Sequence, residues 1–138
     1  MSSNDQEAAV LKATQEGYSS YMKWSQEGFP KPLPENLKSL LTDNALQKVL
    51  ADAEWYGGTG VQVHGDLEIT NIQALSVNGK SAVVQLTAND DAITFTVDGK
   101  PREKLKNDTR TSKVQLVHDG SWKIDTITEV ESHTSTSR

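Results

Sequence analysis

Four aromatic side chains of this sequence sit where they could line a ligand pocket. Tyr18, Tyr21 and Trp24 follow one another at three-residue steps, which places them along one side of a helix. Trp55 ends a later helical stretch beside Tyr56. Rings with polar tips suit a cavity that holds an apolar body and offers it a hydrogen bond, and they suit a packed core equally well. An isomerase-type site would need more: a carboxylate base among apolar groups, facing a donor such as Tyr. Asp66, Asp90 and Asp125 are the carboxylates nearest to predicted strand faces. Asp125 stands between Ile124 and Thr126, and strand alternation turns it away from the side that Trp122 and Ile124 occupy. No spacing demands an acid–base pair, so no catalytic residue is assigned.

Other chemistries find little support. His64 lies in a polar alternation, His118 abuts the Asp119-Gly120 turn and His133 is in the tail, so the histidines do not converge and no metal site is expected. The absence of cysteine excludes a disulfide scaffold, a thiol nucleophile, an Fe–S cluster and a Cys-type zinc site. Gly57-Gly58-Thr59-Gly60 lacks the Lys-Ser/Thr and the helix that a phosphate loop needs. The serines have no nucleophile-elbow context. No cofactor is expected.

Charge narrows the partners. The net charge is −5, and the densest basic group, Lys100, Arg102, Lys104 and Lys106, is interleaved with Glu103 and Asp108. This reads as a solvated loop, so no nucleic-acid partner is expected. No apolar run reaches the roughly 18 residues of a membrane span. The segment 1–6 has neither the basic start nor the apolar stretch of a signal peptide. Compartment stays open between the cytoplasm and export with the signal segment removed. A chain of 138 residues with 35% hydrophobic residues is expected to form one domain over 1–138, with polar ends at about 1–5 and 132–138.

The elements that must position these residues are legible in the hydrophobic rhythm. Residues 4–27 read as a long helix, capped by Asn4 with Glu7 in capping-box position and ended at Gly28. Val10, Ala13, Gly17, Tyr21 and Trp24 form its inner stripe. Pro30, Pro32 and Pro34 stiffen a connector, and Pro34 starts a short helix carrying Leu37, Leu40 and Leu41. A third helix runs from Thr42 or Asp43 to about Tyr56 and buries Leu46, Val49, Leu50 and Ala53. The glycines at 57, 58 and 60 end it.

From Val61 the period becomes two. A break of phase at Ile72 and Ala74 predicts a bulge near Asn71. Asn78-Gly79 and Asp119-Gly120 are hairpin turns, Asp90-Asp91 is a turn, and Asp98-Gly99 opens the charged loop to about Asp108. Strands are expected over about 80–89, 93–97, 109–118 and 122–130, followed by a frayed tail.

Three helices followed by long antiparallel strands resemble the nuclear-transport-factor-two-like cone fold, which ketosteroid isomerases and scytalone dehydratases share. The helix around Tyr18-Ser19-Ser20-Tyr21, the segment 41–46, Gly58-Thr59-Gly60, Val83-Val84-Gln85-Leu86, Asp98-Gly99-Lys100-Pro101 and the closing segment 119–124 carry the resemblance. They look more specifically like small exported actinobacterial proteins or lipoproteins of unknown function. Members of that group often carry one cysteine after the strand near Asn89 and another near the C-terminus, and this chain has neither. The resemblance implies an α+β cone or half-barrel: three N-terminal helices packed on a strongly curved antiparallel sheet of about four to six strands. It implies a cavity against the first helix, with Tyr18, Tyr21, Trp24 and Trp55 as candidate ligand-binding residues for a small apolar ligand. It also implies an open sheet face, where Val83, Thr87, Thr94, Thr96 and Thr111 would suit a homodimer. Two functions follow: a non-catalytic binding or assembly module, or a small-molecule binder or isomerase/dehydratase-type enzyme using the cavity.

Overall fold

The change of hydrophobic rhythm marks a change of layer. The computed structural model describes residues 3–102 and 106–136. Helices α1 (Ser3–Gln26), α2 (Glu35–Lys38) and α3 (Asp43–Gly57) come first. Strands β1 (Val61–His64), β2 (Glu68–Val77), β3 (Ser81–Asn89), β4 (Thr94–Val97), β5 (Lys100–Arg102), β6 (Lys106–Asp119) and β7 (Ser121–Thr136) follow. The class is α+β with three helices on antiparallel strands, as expected. The strands form two sheets, a four-stranded one ordered β2-β3-β6-β7 and a three-stranded one ordered β1-β4-β5.

The α1 stripe is buried at Val10, Ala13, Gly17 and Trp24, with Thr14 enclosed beside them. The Thr14 hydroxyl is satisfied by donating to the Val10 carbonyl, 2.9 Å away. Asn4 lies inside the first turn and is not the cap. At the other end Gly28 and Phe29 both take left-handed backbone, φ 90° and 56°. That conformation is unfavourable for a phenylalanine, and its ring is held in place by tight packing. It stacks on Tyr56 at 5.1 Å and meets Trp24 edge-on at 5.1 Å.

Helix α3 starts at a Thr42 cap, whose hydroxyl accepts from the Ala45 amide at 3.3 Å. Its buried face follows Ala45, Val49 and Ala53. Leu50, expected inside, is 40% exposed. Four-residue steps from Ala45 leave it one position beyond the stripe.

The four-stranded sheet buries Ala82, Val84, Leu86 and Ala88 of β3, Val114 and Leu116 of β6, and Trp122 and Ile124 of β7. Both edge strands are bulged. In β2 the register skips Thr70 and Leu75, and in β7 it skips Asp125 and Val130. The first of these realises the break expected near Asn71. Each bulge adds local twist and bend, and α1 touches both edge strands as well as β3.

Three expectations are corrected. Asp98 and Gly99, φ 52° and 81°, do not open a long loop. They form a tight turn that pairs β4 with β5, and β6 begins already at Lys106. Of the basic group, Lys104, with the neighbouring Glu103, lies outside the described residues. The polar end is not frayed through 136, because residues 132–136 pair with 106–110. Finally, the residues expected on one open sheet face are divided. Val83, Thr87 and Thr111 belong to the four-stranded sheet and Thr94 and Thr96 to the other.

Candidate functional site

A half-open groove of about 360 Å³ runs between α1, α3 and the bulged part of β7. Its walls are apolar. Met22 comes from α1, Leu37 and Leu41 from the α2 region, Val49 from α3, and Ile124 and Ile127 from β7. Volume and lining match a site for a compact small molecule.

Gly17 admits the close crossing of α1 and β7 beside this groove, since a Cβ there would meet the Ile124 side chain. The opposite wall is fixed by the start of α3. Leu41 bridges Ile124 in parallel, and the backbone continues the pairing: Thr42 N donates to Ile124 O at 2.9 Å, and Ile124 N to Leu40 O at 2.7 Å. The Thr42 hydroxyl donates to Asp125 Oδ1 at 2.7 Å, and Asn44 donates to the Asp125 carbonyl at 3.0 Å.

The structure separates the four aromatic candidates. Tyr18 and Tyr21 line the groove. Trp24 does not; it is 2% exposed, and its indole N–H donates to the Pro30 carbonyl at 2.8 Å. Trp55 does not either. It is 64% exposed on the far side of Tyr56, whose ring it meets at 4.9 Å.

The carboxylates also divide. Asp66 accepts from the Gln26 amide at 2.8 Å, and Asp90 accepts from the Asp108 amide at 2.8 Å; neither lines the groove. Asp125 does line it, contrary to the alternation expected of a regular strand. The cause is the bulge: Gln115 pairs with Thr126 and Leu116 with Ile124, so Asp125 is the extra residue and the alternation breaks there. Among the lining residues that escaped the sequence reading are two charged ones, Asp52 and Lys48 of α3. The available signal was spacing. Ala45, Lys48, Val49 and Asp52 fall at three- and four-residue steps on one helix side.

Asp52 and Tyr21 form a polar corner in this apolar wall. Burial, then the negative charge of Asp52, then Tyr56, then a hydrogen bond to the Asp52 carboxylate push the Tyr21 hydroxyl well above the usual phenol range. Burial pushes Tyr18 up to about 12. Both tyrosines line the groove, and their phenols are neutral at neutral pH. The histidines take no part. His64 meets the Thr96 hydroxyl at 3.1 Å, His118 packs edge-on against Trp122, and the His133 side chain lies outside what is described. Among the described residues no three His, Asp or Glu side chains are gathered to hold a metal ion, and no helix is long and apolar enough to cross a membrane.

No protein-family model and no curated protein matches the chain. Solved structures do. An aromatic ring hydroxylase-like protein from Novosphingobium aromaticivorans superposes with a TM-score of 0.56 at 9% identity, covering 93% of each chain. The intermembrane space region of the chloroplast protein ARC6 gives 0.53 at 15% identity, covering 92% of this chain and 97% of that one. A scytalone dehydratase-like protein from Novosphingobium aromaticivorans gives 0.52 at 13% identity, covering 93% and 89%. At these identities the likeness shows the fold alone: a nuclear-transport-factor-two-like α+β cone.

Proposed function

We propose that this chain is a small-molecule-binding module whose ligand lies in the groove between α1, α3 and β7. The observation that carries this reading is an apolar groove of about 360 Å³ whose polar lining is limited to Tyr18, Tyr21, Lys48, Asp52 and Asp125. Apolar walls supply affinity through water release, and a few placed polar groups supply orientation. An occupant with one or two rings fits this volume.

Naphthalen-2-ol tests the reading, followed by protein chemical shifts in solution. Shifts should cluster at Tyr18, Tyr21, Val49 and Ile127. The Ile127→Trp variant should abolish them, because Ile127 stands at the open side and is already 48% exposed, so a larger side chain enters the groove without invading the core. A Leu75→Trp control on the bulge of β2 should leave them unchanged. Shifts scattered over the surface, or surviving in Ile127→Trp, would remove the proposal.

A second reading, an isomerase- or dehydratase-type enzyme, draws on the contact between Tyr21 and Asp52. A carboxylate and a phenol facing one apolar hollow are parts of a proton-transfer site. Asp52 is exposed to solvent, whereas the carboxylate bases of such sites are enclosed. Binding without turnover is thus the better-supported function.

A further inference from the structure

We infer that the groove selects molecules carrying a protonated amine on a compact apolar body. The inference rests on the groove being a ligand site, and it adds the charge of the ligand. Two carboxylates border the groove, Asp52 on α3 and Asp125 on β7, against one ammonium, Lys48. Lys48 precedes Asp52 by one helical turn, yet among the described residues no ion pair joins it to either carboxylate. Each carboxylate has about four acceptor positions. The Tyr21 hydroxyl engages Asp52, and the Thr42 hydroxyl engages one oxygen of Asp125. The remaining positions can only accept hydrogen bonds, and an ammonium has only donors to give.

The tyrosines act in the same direction. Tyr18 and Tyr21 line the wall, and the faces of such rings attract cations. A ligand carboxylate would instead meet two like charges. Lys48 opposes an amine, but it is exposed, and its flexible stem lets the charge move out into water. Because the groove is half-open, an ammonium at its edge keeps part of its hydration while the ring is buried, which limits the desolvation cost.

Three probes with the same ring decide the matter: 2-phenylethylamine, 2-phenylethanol and 3-phenylpropanoate, titrated at neutral pH and low salt with chemical shifts as readout. The amine should bind about fivefold more tightly than the alcohol, the size expected of one partly exposed charge contact, and the carboxylate should bind weakest. In the double variant Asp52→Asn, Asp125→Asn the amine and the alcohol should come within about twofold of each other. The alcohol's own affinity in that variant reports that the groove is intact. Lys48→Gln should strengthen the amine alone. Equal binding of amine and alcohol, or an advantage that survives the double variant, overturns the charge preference and leaves the ligand site standing. Shifts from none of the three overturn both.

Discussion

Gly17 of α1 and Ile124 of β7 meet so closely that a Cβ on Gly17 would stand 2.5 Å from Ile124 Cδ1. Two effects oppose each other in Gly17→Ala. Alanine favours the helix by about 1 kcal/mol. Its methyl must displace the end of a buried isoleucine, and the groove beside Gly17 is the space open to it. The stability change should therefore stay within about 1 kcal/mol, while affinity for naphthalen-2-ol falls as Cδ1 occupies the groove. Adding Ile124→Val removes that methyl and should restore binding. Calorimetry of the two variants checks the pair, and a Gly17→Ala protein that binds normally would show that Ile124 does not shape the groove.

The Thr42 hydroxyl ties two elements together, accepting from Ala45 N and donating to Asp125 Oδ1. Thr42→Ala should cost about 1–2 kcal/mol, the range of a lost helix cap. Thr42→Ser keeps both bonds and should recover most of that. A double-mutant cycle with Asp125→Ala should give a coupling of about 1 kcal/mol in urea unfolding. Additive single losses would mean that cap and bulge are independent.

Much of this architecture was readable because its causes are local. Left-handed glycines at 79 and 120 turn the hairpins, and two-residue alternation buries Ala82, Val84 and Leu86. What failed was set by distant partners. The division of the strands into two sheets, with β1 on β4, depends on pairing across thirty or more residues, which no local pattern encodes. Asp125 faces the groove only because β6 pairs around it. The same limit applies to the site. Tyr18 and Tyr21 were legible because they lie along one side of α1, but that side also carries Trp24 into the core. Asp52 drew no notice in the sequence because the neighbour that gives it meaning, Tyr21, lies on another helix.

The three tryptophans should respond differently to a collisional quencher. Trp24 and Trp122 are buried and Trp55 is 64% exposed. Iodide should quench one fluorescence component strongly, and Trp55→Phe should remove that component with a stability change within about 0.5 kcal/mol. Trp24→Ala should cost about 3–5 kcal/mol, because it empties a core position. Strong quenching that persists in Trp55→Phe would place a different tryptophan at the surface.

The tyrosines of the groove predict how the fold responds to alkali. In the unfolded chain a tyrosine ionises near 10, and in the folded protein burial raises Tyr18 to about 12. Between those values the unfolded form has released the proton and the folded form has kept it. Ionisation then favours unfolding, so this contribution is complete below about pH 10 and is lost as the pH rises towards 12. Partial solvent contact keeps the loss on the order of 1–2 kcal/mol. Tyr21 shifts in the same direction, with Asp52 as a second cause. Denaturant unfolding at about pH 8 and about pH 11.5 should show a larger alkaline loss for the parent than for Tyr18→Phe, whose ring cannot ionise in either state. If both proteins lose the same amount, the Tyr18 hydroxyl is not enclosed in the groove wall.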